Sequence, residues 1–448
     1  MYARFSELDG ATVGVWGAGR EIRSFAAQLA RRLPAARIAV AAFDGPPPPD
    51  VQEALGADAR VVAGPEAAEA LGGCDVVVRS PGVSIHRHEL RALAAAGVPT
   101  RTATGLWLGE RDGRRVIGVT GTKGKSTTAA LISHIAGAGG MTVHLAGNIG
   151  APALDLLDAD PEQLAVVELS SYQIADLEVG PEVAVVTSLF REHLDWHGSE
   201  EIYREEKLRL LGLPGVRVAV LNARSEPLSH APAAAGVALS PYGLPDGWNL
   251  TARGIELRGE LALARAELPL PGEHNALNLC GALTALEASG VAVGPLSDAL
   301  RGFEALPHRL EAVAERDGLL WIDDSISTTP ESTLAALASF PGREIVLIAG
   351  GQDRGQDYAE LASELARRQA VVVGVPSTGA RVVAAARAAG IPAARAVEAS
   401  GMESAVASAR ELAPTGAVIL LSPAAPSYDH YRDFEDRGER FSALAAPR

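Results

Sequence analysis

Cysteine is nearly absent: Cys74 and Cys280 are the only two in 448 residues. No disulfide framework can staple such a chain, and so few thiols suit a reducing compartment, so the expected location is the cytoplasm. No apolar run reaches the roughly 18 residues of a membrane span, and the opening Met-Tyr-Ala-Arg-Phe-Ser-Glu lacks an apolar signal core. Basic residues are outnumbered, 40 Lys and Arg against 55 Asp and Glu, for a net charge of -15. That balance disfavours nonspecific binding to nucleic acid or anionic membrane, because a phosphate surface needs a basic face. An anionic ligand therefore requires a locally positive site. Lysine is scarcest of all, with Lys123, Lys125 and Lys207 alone against an arginine-rich background. Arginine stays charged and planar, whereas a lysine amine can turn neutral and react, so lysines that survive this bias mark chemistry that arginine cannot do.

What remains is ordinary globular material, 47% hydrophobic and 21% charged, long enough for about three domains of ~100–200 residues each. Strands alternate with helices throughout, which predicts parallel α/β sheets. Expected strands lie at 11–16, 36–43 and 75–78 near the N-terminus. A middle series follows at 116–119, 164–168, 183–188 and 216–221, and a last one at 319–323, 344–349, 370–375 and 417–421. The run Gly45-Pro-Pro-Pro-Pro49 reads as a surface loop.

The strongest motif is Gly121-Thr122-Lys123-Gly124-Lys125-Ser126-Thr127, between an apolar strand and a helical run. Backbone N–H groups and a helix N-terminus converge there on one anion, with Lys125 set to span outer phosphates and Ser126 to hold Mg2+. The strict phosphate-loop spacing fails by one residue, since five rather than four residues separate Gly118 from Gly124. Gly17-Ala18-Gly19, with Asp44 ending the next strand, suggests a nucleotide-diphosphate turn that lacks the third glycine, or else a structural turn. Glu168-Leu-Ser170-Ser171-Tyr172-Gln173 and Arg191-Glu-His193-Leu-Asp195-Trp-His197 follow strands at carboxyl edges, where α/β sites form, and offer carboxylate and imidazole ligands. His274-Asn275-Ala-Leu-Asn278 opens a helix whose Asn side chains either cap it or read a base. Asp323-Asp324-Ser325, Gly350-Gly351-Gln-Asp353-Arg354 and Ser422-Pro-Ala-Ala-Pro426-Ser427 form a polar rim, and 431–438, dense in charge, reads as a helix, for which a merely solvated face is the alternative.

In this order these segments, with Gly147-Asn148-Ile-Gly150 and Pro307-His308-Arg309, resemble the Mur ligase family of peptidoglycan synthesis along the whole chain, and its glutamate-adding branch above all. The resemblance implies an α/β chain of three domains. These are a Rossmann-like UDP-sugar domain at 1–104, a central ATPase sheet of P-loop type at 105–309, and a Rossmann-like glutamate domain at 310–448. It implies ATP-driven joining of glutamate to UDP-N-acetylmuramoyl-L-alanine through an acyl phosphate. Catalysis then rests on Lys125, His193 and Lys207, the last carbamylated by carbon dioxide. Gly121 through Thr127, Asn278, Arg309 and Asp324 would hold ATP, and Ser126, Glu168, His193 and Lys207 two Mg2+ ions. Gly17, Ala18, Gly19, Arg20, Asp44, Ser80, Asn148, Ser170 and Gln173 would face the UDP-sugar. Thr328, Arg354, Ser427, Tyr428 and Phe434 would surround glutamate. A monomer is implied, without nucleic acid or a membrane span.

Two departures bear on the acceptor. The family's Asp-Ser-Lys-Ala-Thr-Asn is here Asp324-Ser325-Ile326-Ser327-Thr328-Thr329, so an alkyl group stands where a cation would, and the glycine-loop lysine corresponds to Arg354. Inverting glutamate at its α-carbon moves the α-carboxylate and leaves the amine in place, so a changed clamp points to L-glutamate, with an epimerase acting later. D-glutamate, a folate-type polyglutamate ligase and a non-catalytic nucleotide-sugar binder are the alternatives.

Overall fold

The computed structural model describes residues 2–446 except 48, 57, 191–193, 232, 233 and 305. Two compact units emerge, one of residues 1–268 with 276–303 and the other of 269–275 with 304–448.

The first unit opens with β1 (Thr12–Trp16), β2 (Arg37–Phe43), β3 (Arg60–Ala63), β4 (Val76–Arg79) and β5 (Thr100–Arg101), all parallel in the order β3-β2-β1-β4-β5. Val13 and Val15 pack with Ile22, Phe25 and Leu29 on one face, while Trp16, Val40 and Val77 pack on the other. Burial on both faces explains why these strands read as unbroken apolar runs. The strand order reverses between β1 and β4, and that is where a crevice forms at the carboxyl ends.

The second sheet holds β6 (Val116–Thr120), β7 (Val143–Gly147), β8 (Leu164–Glu168), β9 (Val183–Val186), β10 (Val218–Asn222) and β11 (Ala238–Tyr242), again parallel, ordered β11-β10-β9-β6-β8-β7. Its switch point lies at β6, between β9 and β8. A small antiparallel sheet of β12 (Trp248–Leu250), β13 (Gly254–Leu257) and β14 (Glu260–Ala264) follows. It was not expected: strands of three to five residues around tight glycine turns carry too little pattern to separate from loop.

The second unit is built on β15 (Glu311–Arg316), β16 (Leu319–Asp323), β17 (Ile345–Ala349), β18 (Val371–Gly374), β19 (Ala396–Glu398) and β20 (Val418–Leu421), ordered β15-β16-β20-β17-β18-β19. The β15–β16 pair is antiparallel and the rest parallel, so one edge departs from the all-parallel expectation. The charged helix also differs. It starts at Phe434 rather than Tyr431, capped by the Asp433 side chain on the Asp436 N–H, and its Arg437 is buried rather than solvated. Among the described residues no helix is long and apolar enough to cross a membrane.

Candidate active site

The glycine loop leaves β6 and enters the helix Lys125–Ala138. Gly124 caps that helix in a left-handed conformation, φ 88°, and a Cβ there would lie 2.3 Å from Asn278 Oδ1, so no other residue fits both conditions. Neighbouring strand ends hold the loop. Thr187 Oγ1 donates to the Lys123 carbonyl at 2.5 Å, Ser188 Oγ accepts from the Lys123 N–H at 2.8 Å, and Thr122 shares a 2.8 Å bond with the Tyr203 hydroxyl. Thr187 and Ser188 were expected in strand β9; they leave it and turn their hydroxyls on the loop. Lys125 Nζ folds back onto the carbonyls of Gly121 and Thr122, at 3.0 and 2.9 Å, while Ser126 and Thr127 are buried in the first helical turn. Asn278 thus sits against the loop itself, and Asn275 bonds instead to the Pro271 carbonyl at 2.7 Å.

Glu168 ends β8 beside this loop and is 1% exposed. One carboxylate oxygen accepts from Asn148 Nδ2 at 2.8 Å; the other is buried with no hydrogen-bond partner among the described residues. A buried carboxylate oxygen left so is costly unless a cation meets it. Lys207, 2% exposed on the helix Glu200–Arg209, reaches the same loop: its Nζ donates to the Gly121 carbonyl at 3.1 Å and lies 4.9 Å from the Tyr203 ring centroid. Lys125 and Lys207 therefore meet at the Gly121 carbonyl, and Glu168 ends β8, the strand paired with the β6 strand from which the loop departs. His193 lies outside the described residues.

At the switch point of the first sheet, Gly17 and Ser80 face each other. A Cβ on Gly17 would lie 2.6 Å from Ser80 Oγ, which is buried and has no hydrogen-bond partner among the described residues. Ala18 and Gly19 complete the turn into the helix Arg20–Arg32. Arg20 spans to the second sheet, donating to the carbonyls of Gly147, Asn148 and Gly150 at 2.7, 3.1 and 2.9 Å. It thereby fixes the loop that brings Asn148 to Glu168. Asp44 is engaged by Trp16 Nε1 and by Arg87, at 3.2 and 2.5 Å. Ser170 caps a helical turn on the Gln173 N–H, and both ends of the Gln173 amide are used: Oε1 accepts from Ser170, and Nε2 donates to Glu21 at 2.6 Å and Thr104 at 3.1 Å. Gln173 is thus committed to the seam between the two sheets. Burial pushes the Glu21 carboxyl up despite those bonds.

Sequence reading missed Arg79. It is fully buried at the end of β4, donating to Asp176 at 2.8 Å and to the carbonyls of Tyr172, Pro81 and Val83. A lone charge closing the run Val76-Val-Val78 was the available signal.

In the second unit the carboxyl ends of β16, β17 and β20 converge. Asp324 is buried and accepts from Ser327 Oγ at 2.6 Å, Ser422 Oγ at 2.8 Å and the Leu310 N–H at 3.3 Å. Burial raises its carboxyl to about 6, with these bonds and the Arg309 charge acting against that rise. Ile326 and Thr328 are half-buried, Arg354 is exposed, Ser427 is buried, and Tyr428 is 62% exposed. The Phe434 carbonyl accepts from Ser325 Oγ at 2.8 Å.

Burial lowers His274 to about 4, with the Arg309 charge pushing the same way. Its contribution to stability is full above pH 6.5 and is lost as pH falls through about 4. Asp324 runs the other way: its contribution is full below pH 3.8 and is lost as pH rises through about 6. Each shift corresponds to about 3 kcal/mol, so the two slopes nearly cancel. His274→Gln should unmask the Asp324 slope, gaining about 3 kcal/mol on the parent between pH 6.5 and pH 4 in urea unfolding. A difference that does not change with pH would contradict this assignment.

Comparison with known proteins agrees with this layout. The Mur ligase middle domain matches residues 119–286, and the Mur ligase glutamate ligase domain matches 308–425. A Micromonospora protein named UDP-N-acetylmuramoyl-L-alanine--L-glutamate ligase is 43% identical, covering 98% of this chain and 97% of that protein. One of the same name from Salinispora tropica is 42% identical over 98% of each. The crystal structure of MurF ligase from Thermotoga maritima in complex with ADP shares the fold, with a TM-score of 0.57 at 18% identity, over 99% of this chain and 97% of that one. The chain belongs to the Mur ligase family.

Proposed function

We propose that this chain is an ATP-dependent ligase of peptidoglycan precursor synthesis, acting in the cytoplasm, that joins L-glutamate to UDP-N-acetylmuramoyl-L-alanine. The observation that carries the ligase reading is the meeting of Lys125 and Lys207 at the Gly121 carbonyl of the glycine loop, with Glu168 buried at the end of the neighbouring strand β8. A carboxylate is a poor electrophile. Its oxygen attacks the γ-phosphorus of ATP, ADP departs, and the acyl phosphate so formed carries a good leaving group. The glutamate amine then attacks the acyl carbon, loses a proton and expels phosphate. Phosphoryl transfer is mostly positioning and charge neutralisation, and those are what the loop supplies through its N–H groups and Lys125.

Ser126 would hold one Mg2+, and Glu168, His193 and carbamylated Lys207 a second; bound there, these ions neutralise charge spreading over the phosphate oxygens. The unpartnered Glu168 oxygen supports that assignment. A lysine ammonium repels a cation, whereas its carbamate offers two oxygens, which gives the buried Lys207 a role arginine cannot take. Asn278 and Arg309 with Asp324 hold the nucleotide. Gly17, Ser80 and Asn148 face the UDP-sugar, in keeping with the unpartnered Ser80 hydroxyl. Thr328, Arg354, Ser427, Tyr428 and Phe434 receive glutamate. Three domains divided near 104 and 309 would carry these tasks in a monomer.

The acceptor's configuration rests on Ile326 and Arg354 and on the L-glutamate in the names of both relatives. Phosphate release with ATP, Mg2+ and UDP-N-acetylmuramoyl-L-alanine should be seen with L-glutamate and not with D-glutamate. Turnover of D-glutamate alone overturns the stereochemical reading and removes the need for a downstream epimerase. Silence with both favours a nucleotide-sugar binder.

A further inference from the structure

Away from the glycine loop, the first unit contains a second gathering of ligand-type side chains. His86 lies in the loop after β4, His197 ends the short helix Leu194–His197, and Glu206 lies on the helix Glu200–Arg209. His86 Nε2 is 2.7 Å from Glu206 Oε1, and His197 Nδ1 is 2.5 Å from Glu206 Oε2. One ligand atom from each residue falls within 4.8 Å of the others. The far nitrogen of His197, Nε2, bonds to Ser171 Oγ at 2.9 Å, the outer contact that fixes the ring and leaves Nδ1 pointing at the carboxylate. Side-chain exposures of 25% for His86, 12% for Glu206 and 0% for His197 describe a site closed on the protein side and open past His86.

We propose that His86, His197 and Glu206 bind one Zn2+ ion, at a site separate from the phosphate loop, with the fourth position left to water. Two imidazoles and a carboxylate are a borderline-soft ligand set that suits zinc and not Mg2+, which prefers oxygen and keeps its waters. Zinc bonds of about 2.0–2.2 Å place tetrahedral ligands about 3.3 Å apart. The ion therefore replaces the protons shared between each histidine and Glu206, spreading those short contacts and drawing the two imidazoles together. His86 belongs to the first sheet's loop and Glu206 adjoins Lys207, so zinc ties the 80–87 loop to the helix that carries Lys207. The inference rests on these three side chains and is independent of the ligase reading.

The test is zinc competition against a chromophoric chelator, using the full chain in excess Mg2+. Wild type should bind zinc, His86→Ala should bind it at least about tenfold more weakly, and His86→Cys should keep the affinity because a thiolate also ligates zinc. Co2+ offers a second readout, since the Trp196 ring lies 5.7 Å from His86 and 4.5 Å from His197 between centroids. Co2+ should quench wild-type fluorescence more than that of Trp196→Phe. Equal zinc affinity in wild type and His86→Ala overturns the site, as does absence of zinc binding by wild type. So does a lower melting temperature for metal-free His86→Ala with no zinc-dependent gain in the parent, which would leave His86 as a hydrogen-bonding strut.

Discussion

Lys207→Ala is expected to lower phosphate release with both substrates by about 10²–10³-fold, the cost of removing one preorganised charge-stabilising group, and added acetate or formate should return part of the rate. The argument starts from burial. The Lys207 amine is buried against the Gly121 carbonyl and the Tyr203 ring, where its charge state matters most to a neighbouring cation site. Under the proposed carbamylation it would become an anion able to complete a cation site with Glu168, one of whose oxygens is buried without a hydrogen-bond partner among the described residues. Lys207→Arg discriminates between the two forms. A guanidinium preserves the cation and cannot become a carbamate, so that variant should be as slow as Lys207→Ala, and short carboxylates should help it less because the longer side chain fills the space. Depleting bicarbonate and carbon dioxide should slow the wild type alone. Undiminished turnover by Lys207→Ala would dispose of the carbamate.

The parts of this site visible in the sequence are those where one residue type has a single physical use. Glycine at 124 meets a left-handed backbone and a 2.3 Å approach to Asn278 together, so its identity already states its geometry. Lysine at 207 survives against an arginine bias, and that rarity says its amine is used. The buried parallel strands were legible because an unbroken apolar run of four to eight residues between turn signals has few other uses. Hydroxyls and arginines were not. Thr187 and Ser188 look like two more strand residues, Gln173 like a ligand contact and Arg437 like surface charge. Their roles depend on which loop passes beside them after folding, which no local pattern encodes. Arg354, by contrast, follows a glycine turn and is exposed, as its surroundings in the chain suggest.

Arg437→Met is expected to destabilise the second unit by about 2–4 kcal/mol, since each buried acceptor stripped of its donor costs about 1–3 kcal/mol and the alkyl chain recovers part of the packing. This guanidinium is 1% exposed, and burial pushes it down to about 10, still charged at neutral pH. It donates to the Ser325 carbonyl at 2.8 Å, to Ser325 Oγ at 3.0 Å and to the Ala425 carbonyl at 3.1 Å. Those bonds join the loop after β16 to the loop after β20, and Ser325 Oγ in turn donates to the Phe434 carbonyl. If these loops receive glutamate, Arg437 is a positioning residue. Its loss should raise the KM for glutamate about tenfold or more, on the principle that small misplacements of a bound reactant are costly. The KM for UDP-N-acetylmuramoyl-L-alanine should stay unchanged, because that substrate is assigned to groups of the other unit. Arg437→Lys keeps the charge and loses the fork, so it should fall between the two in stability and in KM. Urea unfolding together with the two KM values decides the matter. A stable Arg437→Met enzyme with its glutamate KM intact would show that the rim is held by its strands alone. A change confined to stability would separate the buried arginine from the acceptor site.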